Sequence, residues 1–259
     1  MLKKLLFITV GLLFTAVSAK GQLPASLKFK TVEVSDFVAH PDPDDEEDGF
    51  AYQIRYFYPS EFSDKAVLEK LQYGLNLDTF GEDFARLSPE QALSDFCNDW
   101  AESYLDEIDE YPMSFVFFQY DTLLFANNDL LQFMTISGAQ SPDTTFTNVG
   151  LALFDLHTGN KYGRDDIFKP EEAGQITKFL ITEIQKQFEI DVEKDTPWTA
   201  DDVWTEDSAF AVFEHGILFY FVDFRNTYGM EEPGFLIPYE TILPYLRTGT
   251  TVWNLADGK

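Results

Sequence analysis

The chain has 259 residues, 45% of them hydrophobic and 16% aromatic, which excludes a disordered composition and suffices for one large core or two small ones. Its 18 basic and 45 acidic residues give a formal charge of −27, so nucleic acid and anionic membrane surfaces are repelled while basic proteins, cationic peptides and divalent cations are attracted. The single cysteine, Cys97, excludes an internal disulfide, and stability must come from packing.

In chain order, Lys3 and Lys4 precede a 13-residue apolar run, Leu5 to Val17, followed by small residues. This is the pattern of a secretory signal, and the run is shorter than the roughly 20 residues of a spanning helix. Cleavage is expected after Ala19 or Gly21; an uncleaved anchor is the alternative. A chain cut after Ala19 loses two lysines and no acid and carries −29. No cysteine stands behind the run for lipid attachment. The mature protein is therefore expected outside the cytoplasm, in a periplasm or secreted, without a membrane span and not as a lipoprotein.

Residues 27–35 alternate as a half-buried strand does. Residues 40–49, "HPDPDDEEDG", hold two prolines and six acids and read as a loop. Residues 50–59 are aromatic-rich and strand-like, ended by Pro59. Residues 64–77 carry Val67, Leu68, Leu71 and Leu75 at helical spacing, with Asp64 as N-cap. Ser88-Pro89-Glu90-Gln91 is a capping-box sequence that opens a second helix. Leu93, Phe96, Cys97, Trp100, Ala101, Tyr104 and Ile108 fall on one face of that helix, and Asp95, Asp99, Glu102 and Asp106 on the other. Cys97 thus reads as a core residue, not a nucleophile.

From residue 113 the pattern turns to β. Two apolar runs lie within 113–128, and 129–139 is a further strand candidate. Residues 146–168 read as a strand, a tight turn at His157-Thr158-Gly159-Asn160 and a short extension. A helix is predicted from about Pro170 to Phe188, and a hairpin over 209–224 with its turn at Glu214-His215-Gly216. A strand at Phe235–Ile237 then leads through Pro238 into a short helix, Tyr239 to Leu246, limited by Pro244, with Ile242, Leu243 and Leu246 inward. The predicted class is α+β: antiparallel sheets packed with three to four helices, in two intimately associated subdomains.

No recognisable catalytic constellation stands in the sequence. The three histidines, His40, His157 and His215, include no i, i+4 pair and no HExxH. GxSxG, P-loop and GxGxxG sequences are absent. His157 and His215 read as turn residues. Asp44, Glu46, Asp48 and Gly49 imitate the start of an EF-hand loop, but the position of the bidentate Glu is Arg55, so that reading fails. A solvated acidic loop is the main reading, with irregular Ca2+ binding left open. Asp165-Asp166, Asp201-Asp202 and Glu231-Glu232 read as solvated pairs. Trp198 and Trp204 read as packing more readily than as a sugar platform. No cofactor, no metal ligand set and no catalytic residue is assigned. The candidate binding residues are the acidic loop, Asp44, Asp45, Glu46, Glu47 and Asp48, together with Tyr239.

Several segments of the second half, in order, carry a family resemblance. They are "LQFMTISGAQS", "LALFDLHTGNKYGRDDIF", a helix, "FAVFEHGILFYFVDFRNTYG" and "FLIPYETILPYL". The Asp155, Thr158, Gly159 turn, Asp166-Ile167-Phe168, and Ile237-Pro238-Tyr239 with Ile242 or Leu243 match the signature positions. The half resembles the extracytoplasmic domain of unknown function found in RsiV-type anti-sigma factors and in many secreted proteins. The first half is similar to the partner domain seen in PdaC-type peptidoglycan deacetylases, through "FAYQIRYFYP", a helix with Asn76 and the capped helix. Together the resemblance spans residues 27–250 and implies a division into 1–21 signal peptide, 22–135 N-terminal domain and 136–259 C-terminal domain. Two departures stand out. A "GGAHG"-like segment of the family is here Ser137-Gly138-Ala139-Gln140-Ser141. The anti-sigma segment and the deacetylase metal ligands have no counterpart, so neither activity is implied. Some RsiV-type proteins bind lysozyme, which an acidic body suits. The reading is a secreted, non-enzymatic binding or sensing module of the cell envelope, recognising a basic protein such as a lysozyme. The alternatives are a peptidoglycan- or glycan-binding module, or a hydrolase working through carboxylates.

Overall fold

The computed structural model describes residues 23–40, 49–107, 115–141, 145–189, 191, 194, 203–204, 209–220 and 234–258. The signal segment, the acidic loop, Trp198, Asp201-Asp202 and Glu231-Glu232 lie outside them. Six strands form one sheet in chain order: β1 (Lys28–Ala39), β2 (Gly49–Glu61), β3 (Phe115–Ala126), β4 (Leu130–Gln140), β5 (Thr145–Asp155) and β6 (Lys161–Tyr162). Three more, β7 (Ala209–Val212), β8 (Gly216–Tyr220) and β9 (Gly234–Pro238), form a second, antiparallel sheet. Between β2 and β3 come α1 (Lys65–Phe80) and α2 (Pro89–Glu107). The single-turn α3 (Arg164–Ile167) and α4 (Ala173–Phe188) follow β6, and α5 (Tyr239–Ile242) and α6 (Thr251–Ala256) close the chain. The class is α+β, as the alternation of patterns predicts. One pair departs from the antiparallel expectation: β2 and β3 run parallel, because α1 and α2 carry the chain back across the sheet between them.

Local signals account for most element ends. The Asp64 side chain accepts from the Ala66 and Val67 N–H groups (3.0 and 3.2 Å) and starts α1. Only half of the capping box forms at α2: the Gln91 N–H donates to Ser88 Oγ at 3.4 Å, but the Gln91 side chain turns to Asp95 Oδ1 at 2.6 Å. Pro59 does not end β2, which runs on to Glu61; the register shifts beside it, between Lys28 and Phe29. The two apolar runs of 113–128 belong to one strand, β3, with an irregularity between Leu123 and Phe125. The predicted helix from Tyr239 to Leu246 forms only in part: Pro238 caps α5, which ends at Ile242, and Pro244 enters a 3-10 turn over Leu243–Tyr245. Of the residues predicted inward, Ile242 and Leu246 are fully buried and Leu243 is half-buried.

Two cores result. One face of the large sheet packs Phe50, Ile54, Tyr56 and Phe133 against Leu71, Leu75 and Phe96 of α1 and α2. Cys97 is buried there, and burial pushes its thiol up to about 11, in keeping with a packing role. The second core joins Leu130, Leu153 and Phe125 to Ile176, Leu180 and Ile184 of α4 and to the small sheet, with Trp204 buried against Phe168 and Phe219. β4 serves both. Leu131 and Phe133 face the first core and Leu130 the second, while the fully buried Gln132 accepts a hydrogen bond from Val212 N–H at 3.2 Å across the sheets. β4 runs through positions 135 and 136 without a break.

Helix α1 reaches β5 through a glycine. A β-carbon at Gly74 would sit 2.6 Å from the ring of Phe154, itself fully buried. Gly74→Ala is therefore expected to cost about 1–3 kcal/mol, despite alanine's better helix propensity, because the ring has nowhere to go. Equal or greater stability in urea unfolding would show that the helix can ride up freely.

Candidate functional site

Asp155 ends β5 and organises the turn into β6. Its Oδ1 accepts from the His157 N–H (2.9 Å), the Thr158 N–H (2.8 Å) and the Thr158 hydroxyl (3.0 Å). Its Oδ2 accepts from the Tyr162 hydroxyl (2.7 Å) on β6 and the Thr251 hydroxyl (3.0 Å) at the start of α6. Burial raises the carboxyl, but the bonds from Tyr162, Thr158 and Thr251 outweigh it and hold the group below the usual carboxylate range. Gly159 completes the turn at φ 73, and a β-carbon there would also meet the Val67 carbonyl at 2.8 Å. Lys70 of α1 reaches over to donate to Thr158 O and Asn160 Oδ1, both at 3.1 Å. One carboxylate thus ties the turn, β6 and α6 together, and α1 docks on the outside.

A cleft of about 380 Å3 opens beside this anchor, lined by Asn127, Asp129, His157, Thr251, Asn254 and Leu255. Asn127 shapes its wall: its side-chain oxygen accepts from the N–H groups of Asp129 (2.8 Å) and Leu130 (2.7 Å), an Asx turn that joins β3 to β4. His157 Nε2 lies 2.8 Å from Asp129 Oδ1, with both side chains well exposed, so the pair orients the ring more than it stabilises the fold. This is a polar, open recess. Asp155 is saturated by five donors. The Thr251 hydroxyl already donates to it, so the cleft presents hydrogen-bonding groups without an activated nucleophile. Among the described residues no three His, Cys, Asp or Glu side chains converge to hold a metal ion.

Of the candidates read from the sequence, Asp44 to Asp48 lie outside the described residues, and Tyr239 is built into the second core. Its hydroxyl donates to the Phe213 carbonyl at 2.5 Å, and burial raises its pKa. That places it at the hairpin turn of the small sheet and not in the cleft. His157 is a turn residue that also lines the cleft; His215 stays in its own turn, where its carbonyl accepts from Tyr239 N–H. Asp165 and Asp166 do not form a catalytic pair. Asp166 caps α3 through Gly163 N–H at 2.8 Å, while the Arg164 guanidinium, 2.8 Å from Asp165, lowers that carboxyl. Sequence reasoning missed Asn127, Asp129, Thr251 and Asn254. Asn127-Asn128-Asp129 before a strand is an Asx-turn signal that marks the first two; nothing local marks the others.

A second buried carboxyl has a different setting. Asp121 of β3 is 5% exposed, on the helix-facing side where the pairing of β2 with β3 stops. Neither of its oxygens makes a hydrogen bond of good geometry. Burial pushes the group up to about 7, against partial relief from the nearby Thr135 hydroxyl, Phe57 N–H and Gln119 side chain.

The chain matches no protein-family model and no curated protein. Solved structures similar to it include two from the DUF3298 family. One is a member of the DUF3298 family from Bacteroides fragilis NCTC 9343, with a TM-score of 0.74 and 18% identity, covering 90% of this chain and 98% of that one. The other is a DUF3298 family protein from Pseudomonas aeruginosa PAO1, with a TM-score of 0.56 and 12% identity, covering 86% of this chain and 95% of that one. At these identities the likeness is one of fold: nearly the whole chain adopts the fold of proteins assigned to a domain family of unknown function.

Proposed function

We propose that the protein is an extracytoplasmic, non-catalytic binding or sensing module of the cell envelope that recognises a basic protein, with lysozyme as the type of partner. The observation that carries this reading is the solvent face of α2. Residues 89–107 contain six acids and no lysine or arginine. Glu90 is held by Lys30 at 2.6 Å, but among the described residues Asp95, Asp99 and Glu102 form no ion pair. On a chain of −27 this face extends the field that would steer a cationic partner. The descent from RsiV-type and PdaC-associated domains belongs to the same proposal. No helix among the described residues is long and apolar enough to cross a membrane.

The test is binding of hen lysozyme by surface plasmon resonance at low and moderate salt. The expected result is binding that weakens steeply as salt rises. Replacing Asp95, Asp99 and Glu102 together by lysine is expected to weaken it by at least about tenfold, mainly in the association rate. Absence of binding at low salt, or equal binding by the triple variant, would refute recognition through this face.

A further inference from the structure

The face of the large sheet turned away from α1 and α2 meets the small sheet at one end, through Leu130, Gln132 and Leu153. Further along, the register sets three aromatic rings on the same side: Phe37 of β1, opposite Ala51, and Phe118 and Tyr120 of β3, opposite Gln53 and Arg55. Solvent reaches them, Phe37 being 49% and Tyr120 37% exposed. Glycines lie beneath two of the rings. A β-carbon at Gly49 would be 2.6 Å from the Phe37 ring, and one at Gly138 would be 2.7 Å from the Phe118 ring. Without those β-carbons the rings lie down on the sheet. Phe118 and Tyr120 stack at 6.0 Å with 26° between their planes. Two strands across and two residues along place Phe37 roughly 12 Å from Phe118, a span for several linked sugar rings.

Planar polar groups fill the spaces between. The Tyr120 hydroxyl donates to Gln53 Oε1 at 3.0 Å, and Arg55 Nε lies 3.5 Å from Glu33 Oε1. We propose that this face binds a neutral polysaccharide chain. Sugar rings would stack on Phe37, Phe118 and Tyr120, and their hydroxyls would bond to Gln53, Arg55 and Glu33. The charge pattern selects that occupant. Among the described residues of the patch, Arg55 and Glu33 neutralise each other, and the −27 of the chain repels polyanions. The exposed rings lie along one sheet face, where sugar rings can stack. The proposal is independent of the acidic face of α2.

The test is isothermal titration with chitohexaose and cellohexaose in high salt, where charge attraction is screened and stacking is not. Binding to one or both is expected. Tyr120→Ala and Phe37→Ala should each weaken it by about tenfold or more. Tyr120→Phe, which keeps the ring, should retain most of the affinity, and the α2 triple-lysine variant should bind as wild type. Thermal melting should show all variants folded, since the altered rings are partly in solvent. Binding to neither sugar overturns the proposal. So does binding unchanged in both alanine variants, or concentration-dependent dimerisation in light scattering that Tyr120→Ala abolishes, which would assign the face to a second copy of the chain.

Discussion

Asp155→Asn is expected to destabilise the protein by about 3 kcal/mol or more at neutral pH, with the loss confined to conditions in which the wild-type carboxyl is charged. Five donors, the hydroxyls of Thr158, Tyr162 and Thr251 and the backbone N–H groups of His157 and Thr158, close on its two oxygens, and an amide can satisfy only part of that set. The sign follows from the lowered carboxyl. A group that is more acidic in the fold than in the unfolded chain stabilises the fold above its unfolded value, near 4, and that contribution drains away as pH falls further. Urea unfolding of wild type and variant from neutral to acid pH should therefore show a gap that is widest near neutrality and closes below about pH 4. Hydrogen exchange of the Thr251–Ala256 helix should accelerate in the variant, because Thr251 loses its tether. A gap independent of pH, or one under about 1 kcal/mol, would show that the turn stands without the carboxylate.

Asp121→Asn should act in the opposite direction. Burial pushes the wild-type carboxyl up to about 7 in the fold, against about 4 when unfolded, so between those values the folded state holds the extra proton. Stability then falls as pH rises through that window, and the full penalty is present above it. The asparagine variant lacks this penalty. It should match wild type near pH 4 and become more stable toward pH 8, by up to about 4 kcal/mol if the burial cost is fully expressed. Burial raises the pKa of the Tyr56 hydroxyl, and the Asp121 charge adds to that rise. Tyr56 already donates to Asn76 at 2.7 Å and so does not relieve the aspartate. A difference between the two proteins that stays flat with pH would mean that Asp121 is solvated in the fold.

Much of the architecture was legible because its signals are short-range. Asp64 announces a helix start through N–H groups two and three residues away, and Pro89 through its own fixed φ. The hairpin turn, predicted at Glu214-His215-Gly216 and found one residue earlier at 213–215, and the closing Pro238 and Pro244 act through local backbone restriction. The reading of β2 as ended by Pro59 failed because the adjacent β1 tolerates a register shift there, a property of the partner strand. The parallel pairing of β2 and β3 was likewise invisible, since alternation of burial is the same in either direction.

The site shows the same division more sharply. Asp155-x-x-Thr158-Gly159 could be picked out as a unit because its bonds within the turn span at most three residues. Tyr239 differs: it is buried, and its hydroxyl bonds to the carbonyl of Phe213, 26 residues earlier, a partner that its own neighbours along the chain do not mark. The cleft depends on longer reaches still: Asp129 meets His157 across 28 positions, and Thr251 meets Asp155 across 96. By itself the sequence determined class, element order, caps and turns, because these depend on neighbours along the chain. Only the tertiary structure decided which of many acids is saturated at Asp155, which is stranded at Asp121, and which aromatics lie open on the sheet. Burial and partnership are set by residues that the chain brings together only after it has folded.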